Sequence, residues 1–110
     1  MNWLYKKVIQ LQPKHPLAYT QLGVCMLNKR EYKAAEALAK TAIKLAPQNY
    51  HAYILLGRTY EVQKREKESL EQYKKAIAIA PKEPECKKLL NNMMKKRAQE
   101  LGLPNLPGLN

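Results

Sequence analysis

The sequence predicts an all-α fold of repeated helical hairpins, an α-solenoid of about six helices. Three observations carry that expectation. The chain repeats itself: Gly23 and Gly57 lie 34 residues apart, as do successive members of Pro13, Pro47 and Pro81, and the pairs Tyr19/Tyr53, Leu22/Leu56 and Ala42/Ala76. Self-similarity at a fixed period marks stacked supersecondary units. Apolar residues within a unit recur at helical spacing, as in Ala52, Leu56 and Tyr60, then Leu70, Tyr73, Ala76, Ile77 and Ala80. Each proline closes a unit, because it cannot continue a helix and restricts the residue before it.

The elements follow in order. Residues 2–13 place Trp3, Leu4, Val8, Ile9 and Leu11 ahead of Pro13, and they align with the second helix of a unit whose first helix would precede it. Those side chains are expected to pack on that missing helix or on the next unit, so the chain reads as a fragment. Residues 16–49 form the first full unit. Pro16 suits a first helical turn, where the missing N–H costs nothing. Lys29-Arg30-Glu31 makes the turn between its two helices, and Ile43 to Pro47 closes it. Residues 50–83 repeat the scheme, with Lys64-Arg65-Glu66 as the turn and Ile77 to Pro81 as the close. Gly23 and Gly57 each cost their helix about 1 kcal/mol relative to Ala. A neighbouring helix at close approach is the reason expected for both. Residues 84–101 form a last helix from Pro84, with Lys87 and Asn91 where the earlier units hold Tyr and Gly. A terminal repeat needs a polar outer face, so this helix reads as a cap. Residues 102–110, with Gly102, Pro104, Pro107 and Gly108, predict an extended tail.

The two full units carry a recognisable pattern. The first reads Tyr19-x2-Leu22-Gly23-x2-Met26, then Ala35-x3-Ala39, then Pro47; the second reads Tyr53-x2-Leu56-Gly57-x2-Tyr60, then Ser69-x3-Tyr73, then Pro81. This resembles the tetratricopeptide repeat (TPR), whose signature is W-x2-L-G-x2-Y, A-x3-F and P over a helix–turn–helix unit. The resemblance covers residues 1 to about 100. It implies a right-handed superhelix, which the spacing alone does not. Three departures stand out. Tyr replaces the first Trp in both units. Ala39 occupies an aromatic position that Tyr5 and Tyr73 fill in the flanking units, which calls for a larger neighbour such as Met26. Ser69 replaces a packing Ala, and its hydroxyl is expected to bond back to its own helix.

Composition narrows the function. The 110 residues are 45% hydrophobic, yet no apolar run approaches the about 20 residues of a membrane span. No secretory leader opens the chain. Cys25 and Cys86 form no CxxC pair, so neither a zinc site nor a disulfide framework is indicated. A reducing compartment, cytoplasmic or nuclear, is the reading. His15 and His51 lack the carboxylate or nucleophile partners that catalysis or a metal would need. No glycine-rich phosphate loop is present. The expectation is no enzyme, no cofactor and no metal. Net charge is +11, spread along the chain rather than gathered in a tail. Such a charge is compatible with nucleic acid. However, the basic run Lys95-Lys96-Arg97 has no aromatic interleaved for base stacking, which argues against it.

The positive expectation is a protein-interaction scaffold. The resemblance implies a concave face lined by the first helix of each unit, taking a peptide or helix of a partner. In the first unit this face offers Leu17, Thr20, Gln21, Val24, Leu27 and Asn28. In the second it offers His51, Ile54, Leu55, Arg58, Glu61 and Val62. Helical spacing independently gathers each set on one face. Much of that face is apolar, and it stands opposite Tyr19, Leu22, Leu56 and Tyr60. The stripe is therefore either a groove or inter-repeat core. One TPR subclass clamps the acidic tails of Hsp70 and Hsp90 with Lys, Asn and Arg side chains. Here those places hold Thr20, Val24, Leu55, Glu85 and Leu89, so the clamp is absent and chaperone tails are not expected. Arg58 is the groove cation available to a partner carboxylate. The alternative is a self-associating module of a larger helical-repeat assembly, paired through the apolar faces at its ends.

Overall fold

The computed structural model describes residues 2–103, so most of the tail expected over 102–110 lies outside the described residues. Six α-helices follow one another: α1 (Asn2–Leu11), α2 (Pro16–Asn28), α3 (Tyr32–Leu45), α4 (Tyr50–Val62), α5 (Glu66–Ile79) and α6 (Pro84–Glu100). No strand occurs among the described residues.

Local chemistry sets the helix ends. His15 caps α2, its Nδ1 accepting from the Ala18 backbone N–H at 3.1 Å. Asn49 caps α4 through Oδ1, which accepts from the His51 N–H at 3.2 Å. The two turns within the hairpins are built alike. Arg30 (φ 64°) and Lys64 (φ 62°) adopt the left-handed conformation. The next residue then bonds back, Glu31 N–H to Met26 C=O and Arg65 N–H to Tyr60 C=O, both at 2.9 Å. This closing pattern satisfies the last helical carbonyls, and it usually employs Gly. Helix α6 ends in the same way, but with Gly102 (φ 70°) as the left-handed residue. Position 98 is where the repeat would turn; Ala98 continues the helix, leaving α6 one turn longer.

Helices α2 and α3 form one hairpin and α4 and α5 the next, with α1 packed on α2, α3 on α4 and α5 on α6. Helix α2 also touches α4, whereas α1, α3 and α5 make no such approach to one another among the described residues. Helices α2 and α4 therefore lie on the tight, inner side of a curved stack, with α3 and α5 splayed outside, while α6 does not approach α4 in the same way. The molecule is elongated, 52 × 27 × 21 Å.

The core explains the irregular units. A Cβ built on Gly57 would lie 2.5 Å from Tyr73 Cε1, so the aromatic ring of α5 sits directly on the glycine. The Tyr73 hydroxyl donates to Glu61 Oε1 at 2.7 Å, tying α5 to α4. In the first unit Ala39 takes the place of Tyr73. The gap is filled not by Met26, which packs with Leu22 and Ala35, but from the following hairpin. Leu55, Leu56 and Tyr60 cluster on Ala39, with Leu27 and Ile43 alongside. A Cβ on Gly23 would meet Leu55 Cδ2 at 2.6 Å. The small residue on α3 thus draws Leu55 inward. Ser69 makes no bond back to its helix among the described residues; it lines a cleft beside Tyr73. Thr59 makes the back-bond instead, donating to Leu55 C=O at 2.8 Å.

Arg65 joins the units on the outside. Its guanidinium donates to Glu68 at 2.9 Å through Nε and to Glu36 of α3 at 2.9 Å through Nη1. It also lies 4.3 Å from the centre of the Tyr60 ring. At the N-terminus Tyr5 and Ile9 pack against the α2–α3 core, while Trp3, Leu4 and Leu11 are exposed.

Candidate functional site

The curvature places α2 and α4 on the inner face, and the residues expected there divide into two groups. Leu17 (55% exposed), Val24 (38%) and Val62 (50%) present apolar surface to solvent. Asn28, His51, Arg58 and Glu61 are exposed beside them, and Gln21 and Leu27 are half-buried. Thr20, Ile54 and Leu55, each 3% exposed, lie in the core and cannot meet a ligand in this conformation. Each has a structural reason. Thr20 donates to Pro16 C=O at 3.1 Å within its own helix. Ile54 packs with Ala76 and Cys86 beneath α6. Leu55 fills the space left by Ala39. The apolar stripe is therefore part exposed surface and part inter-repeat core.

What remains has a gradient. The α2 end, with Leu17 and Val24, is apolar. The α4 end mixes Val62 with His51, Arg58 and Glu61. The His51 ring lies 4.1 Å from that of Tyr50, tilted by 32°. Arg58 makes no ion pair among the described residues. Glu61 is engaged by the Tyr73 hydroxyl, and burial together with that carboxylate pushes Tyr73 far above its ordinary value. The tyrosine stays a neutral donor throughout the physiological range.

Helix α6 extends the face beyond the residues the sequence reading put forward. Leu89, Asn92, Met93 and Lys96 border an open cleft of about 170 Å³ with Glu61 and Tyr73. The 34-residue register could have found them, since Leu89, Asn92 and Lys96 follow Leu55, Arg58 and Val62 by one period. Leu89 is only half-buried. Tyr73 already occupies the space that Leu55 takes in the preceding unit, so α6 stands off from α5 along this cleft.

His15 is spent on a helix cap. No group of three or more His, Cys, Asp or Glu residues that could hold a metal occurs among the described residues. Cys86 is buried, its Sγ 3.5 Å from Ala76 C=O. Desolvation, with Glu85 and Glu83 nearby, pushes its thiol upward and away from the reactive thiolate. No described helix is long and apolar enough to cross a membrane.

Comparison with known proteins agrees with the repeat architecture. Two family models described as tetratricopeptide repeat match, one over residues 29–93 and one over residues 4–37. No curated protein matches the chain. Among solved structures, the Arabidopsis OM64 TPR domain superposes with a TM-score of 0.77 at 21% identity, over 90% of this chain and 78% of that one. The first TPR of Spaghetti (RPAP3), bound to the HSP90 peptide SRMEEVD, gives 0.74 at 20% identity, over 89% and 75%. MamA from Desulfovibrio magneticus RS-1 gives 0.71 at 27% identity, over 87% of this chain and 54% of that one. At these identities the OM64 and RPAP3 structures show a shared fold and nothing finer.

Proposed function

Because the chain belongs to the tetratricopeptide repeat family, we propose that it is a protein-interaction module holding a segment of a partner protein along the inner face of α2, α4 and α6. One observation supports this reading above the others. Leu17, Val24 and Val62 remain exposed on the inner helices while Leu22, Leu55 and Leu56 of the same helices are buried. Exposed apolar side chains aligned on a concave face favour a partner that brings apolar groups of its own. Arg58, free of any ion pair among the described residues, gives that partner's carboxylate a place to bind. The Lys and Asn side chains of the chaperone-tail clamp have no counterparts at Thr20, Val24, Leu55, Glu85 and Leu89. The partner segment is accordingly apolar rather than an acidic chaperone tail, even though RPAP3, of similar fold, is seen with an HSP90 peptide.

The test is affinity capture with the chain and with a Leu17→Glu/Val62→Glu variant. Both positions are exposed, so helicity should stay native. Loss of captured partners with native helicity is expected; equal capture by both proteins overturns the groove reading.

A second reading, self-association, draws on α1, where Trp3 and Leu11 are about 70% exposed on one short helix. Its mark is a molecular mass that rises with concentration and falls back in Trp3→Glu. A mass that stays monomeric at all concentrations removes it.

A further inference from the structure

A second apolar surface, a furrow between α5 and α6, adjoins the inner cleft and shares Leu70, Met93 and Lys96 with it. Leu70 and Met93 line it with Leu90 and Met94, the last two each 42% exposed. The repeat register gives the furrow meaning. Leu90 and Met94 stand two periods after Leu22 and Met26, which pack on Ala35 of α3, the hairpin partner of α2. Leu70 stands one period after Glu36, which in the preceding unit accepts from Arg65. The position equivalent to Arg65 beside the furrow is Gln99. At the second junction the ion-pair residues of the first are thus replaced by Leu70 and Gln99.

Charge decides the occupant. Lys67 and Lys74 of α5 and Lys96 and Arg97 of α6 rim the furrow, against Glu66 and Glu100. Both acids are already paired, Glu66 with Lys96 at 3.3 Å and Glu100 with Arg97 at 3.6 Å. Lys67 and Lys74 have no ion-pair partner among the described residues. The α1 helix of a second copy fits poorly, because Lys6 and Lys7 would meet this basic rim. In hairpin register its Tyr5 would also fall where Tyr73 sits on Gly57, and there α6 carries Asn91.

We propose that the α5–α6 furrow seats an acidic amphipathic α-helix of a partner protein, laid where the next repeat's second helix would lie. Apolar residues at helical spacing fill the furrow, a small residue faces Asn91, and flanking carboxylates meet Lys67 and Lys74. This surface adjoins the α6 end of the inner face, sharing Met93 and Lys96 with its cleft, and is distinct from the exposed Leu17, Val24 and Val62 of α2 and α4.

The probe is a synthetic peptide of the length of α3, 14 residues. It carries leucines along one face, an alanine at the centre of that face and glutamates on both flanks. A control peptide has lysines for the glutamates. Binding is read by calorimetry at low and raised salt. The acidic peptide is expected to bind, and the basic one to bind at least about tenfold more weakly. Leu90→Gln/Met94→Gln should lower the affinity about tenfold or more. Lys67→Ala/Lys74→Ala, at exposed sites that leave the fold intact, should weaken binding and flatten its salt dependence. The groove variant Leu17→Glu/Val62→Glu should bind the peptide unchanged, which separates this proposal from the inner-face reading. Absence of binding by the acidic peptide, equal binding of the two peptides, or indifference to both furrow variants overturns it. So does a dimer of the free chain that Leu90→Gln/Met94→Gln dissociates, since the furrow would then belong to a second copy.

Discussion

Replacing Gly57 with Ala isolates the contact that distinguishes the two hairpins. The added Cβ would lie 2.5 Å from Tyr73 Cε1 and 2.6 Å from Cδ1. Ordinary carbon–carbon contact is about 3.5–4.0 Å, so the ring must retreat by about 1 Å. It is poorly placed to do so, being buried and held through its hydroxyl on Glu61. Overpacking of this kind costs about 1–3 kcal/mol, while Gly to Ala within a helix returns about 1 kcal/mol. The net expectation is a loss of up to about 2 kcal/mol, or a fall in Tm of up to roughly 16 °C for a domain this size. Gly23→Ala is the internal control. Its Cβ meets only the flexible end of Leu55 below 3 Å, with Leu38 and Ala35 at 3.5 and 3.7 Å. Leu55 can turn aside, so this variant should stay close to wild-type. Urea unfolding followed by circular dichroism measures both. A Gly57→Ala/Tyr73→Leu double mutant should recover part of the loss, giving a coupling energy of about 1 kcal/mol or more. Gly57→Ala as stable as Gly23→Ala, or no coupling to Tyr73, would refute the packing argument.

Other expectations follow from the turns, the ion pairs and the thiols. Lys64→Gly should raise stability by about 1 kcal/mol, since a left-handed residue with a Cβ costs about 1–2 kcal/mol and part of the relief is spent on glycine's greater freedom when unfolded; the urea midpoint checks it. The Arg65 guanidinium holds the Glu68 carboxyl below its ordinary value of 4.5. A carboxylate depressed in the folded state stabilises fully above that ordinary value and loses its contribution as pH falls through the depressed one. Wild-type stability should therefore drop below about pH 4.5 more steeply than that of Arg65→Ala, as measured by Tm against pH. Cys86, buried with its thiol pushed upward, should resist an aromatic disulfide reagent at neutral pH until the protein unfolds, whereas half-buried Cys25 should react first.

Much of the architecture was legible because the repeat is written twice. Two copies of the Tyr–Leu–Gly pattern, three prolines and matching turns fix where helices start, stop and pair. The turns show how far the reading works: Lys29-Arg30-Glu31 and Gln63-Lys64-Arg65 close identical backbone patterns despite lacking glycine, the second one residue earlier than the expected Lys64-Arg65-Glu66 because Glu66 already opens α5. The site was less legible, because burial of its residues depends on partners one unit away. Leu55 looks like a groove residue within its own helix. It becomes core because Ala39, on the preceding hairpin, leaves room for it. Leu89, at the equivalent place, stays half-buried because Tyr73 leaves none. The helical period places a residue on a face, but only the volume opposite decides whether that face is filled.

The central claim is that a partner lies along the inner face. A photo-crosslinking residue placed at Val24, on that face, should capture the partner. The same residue at Lys44, exposed on the outer helix α3, should leave it free. Crosslinking from Val24 alone is the result predicted. Crosslinking from Lys44 and not from Val24 would contradict the account and move binding to the outer surface.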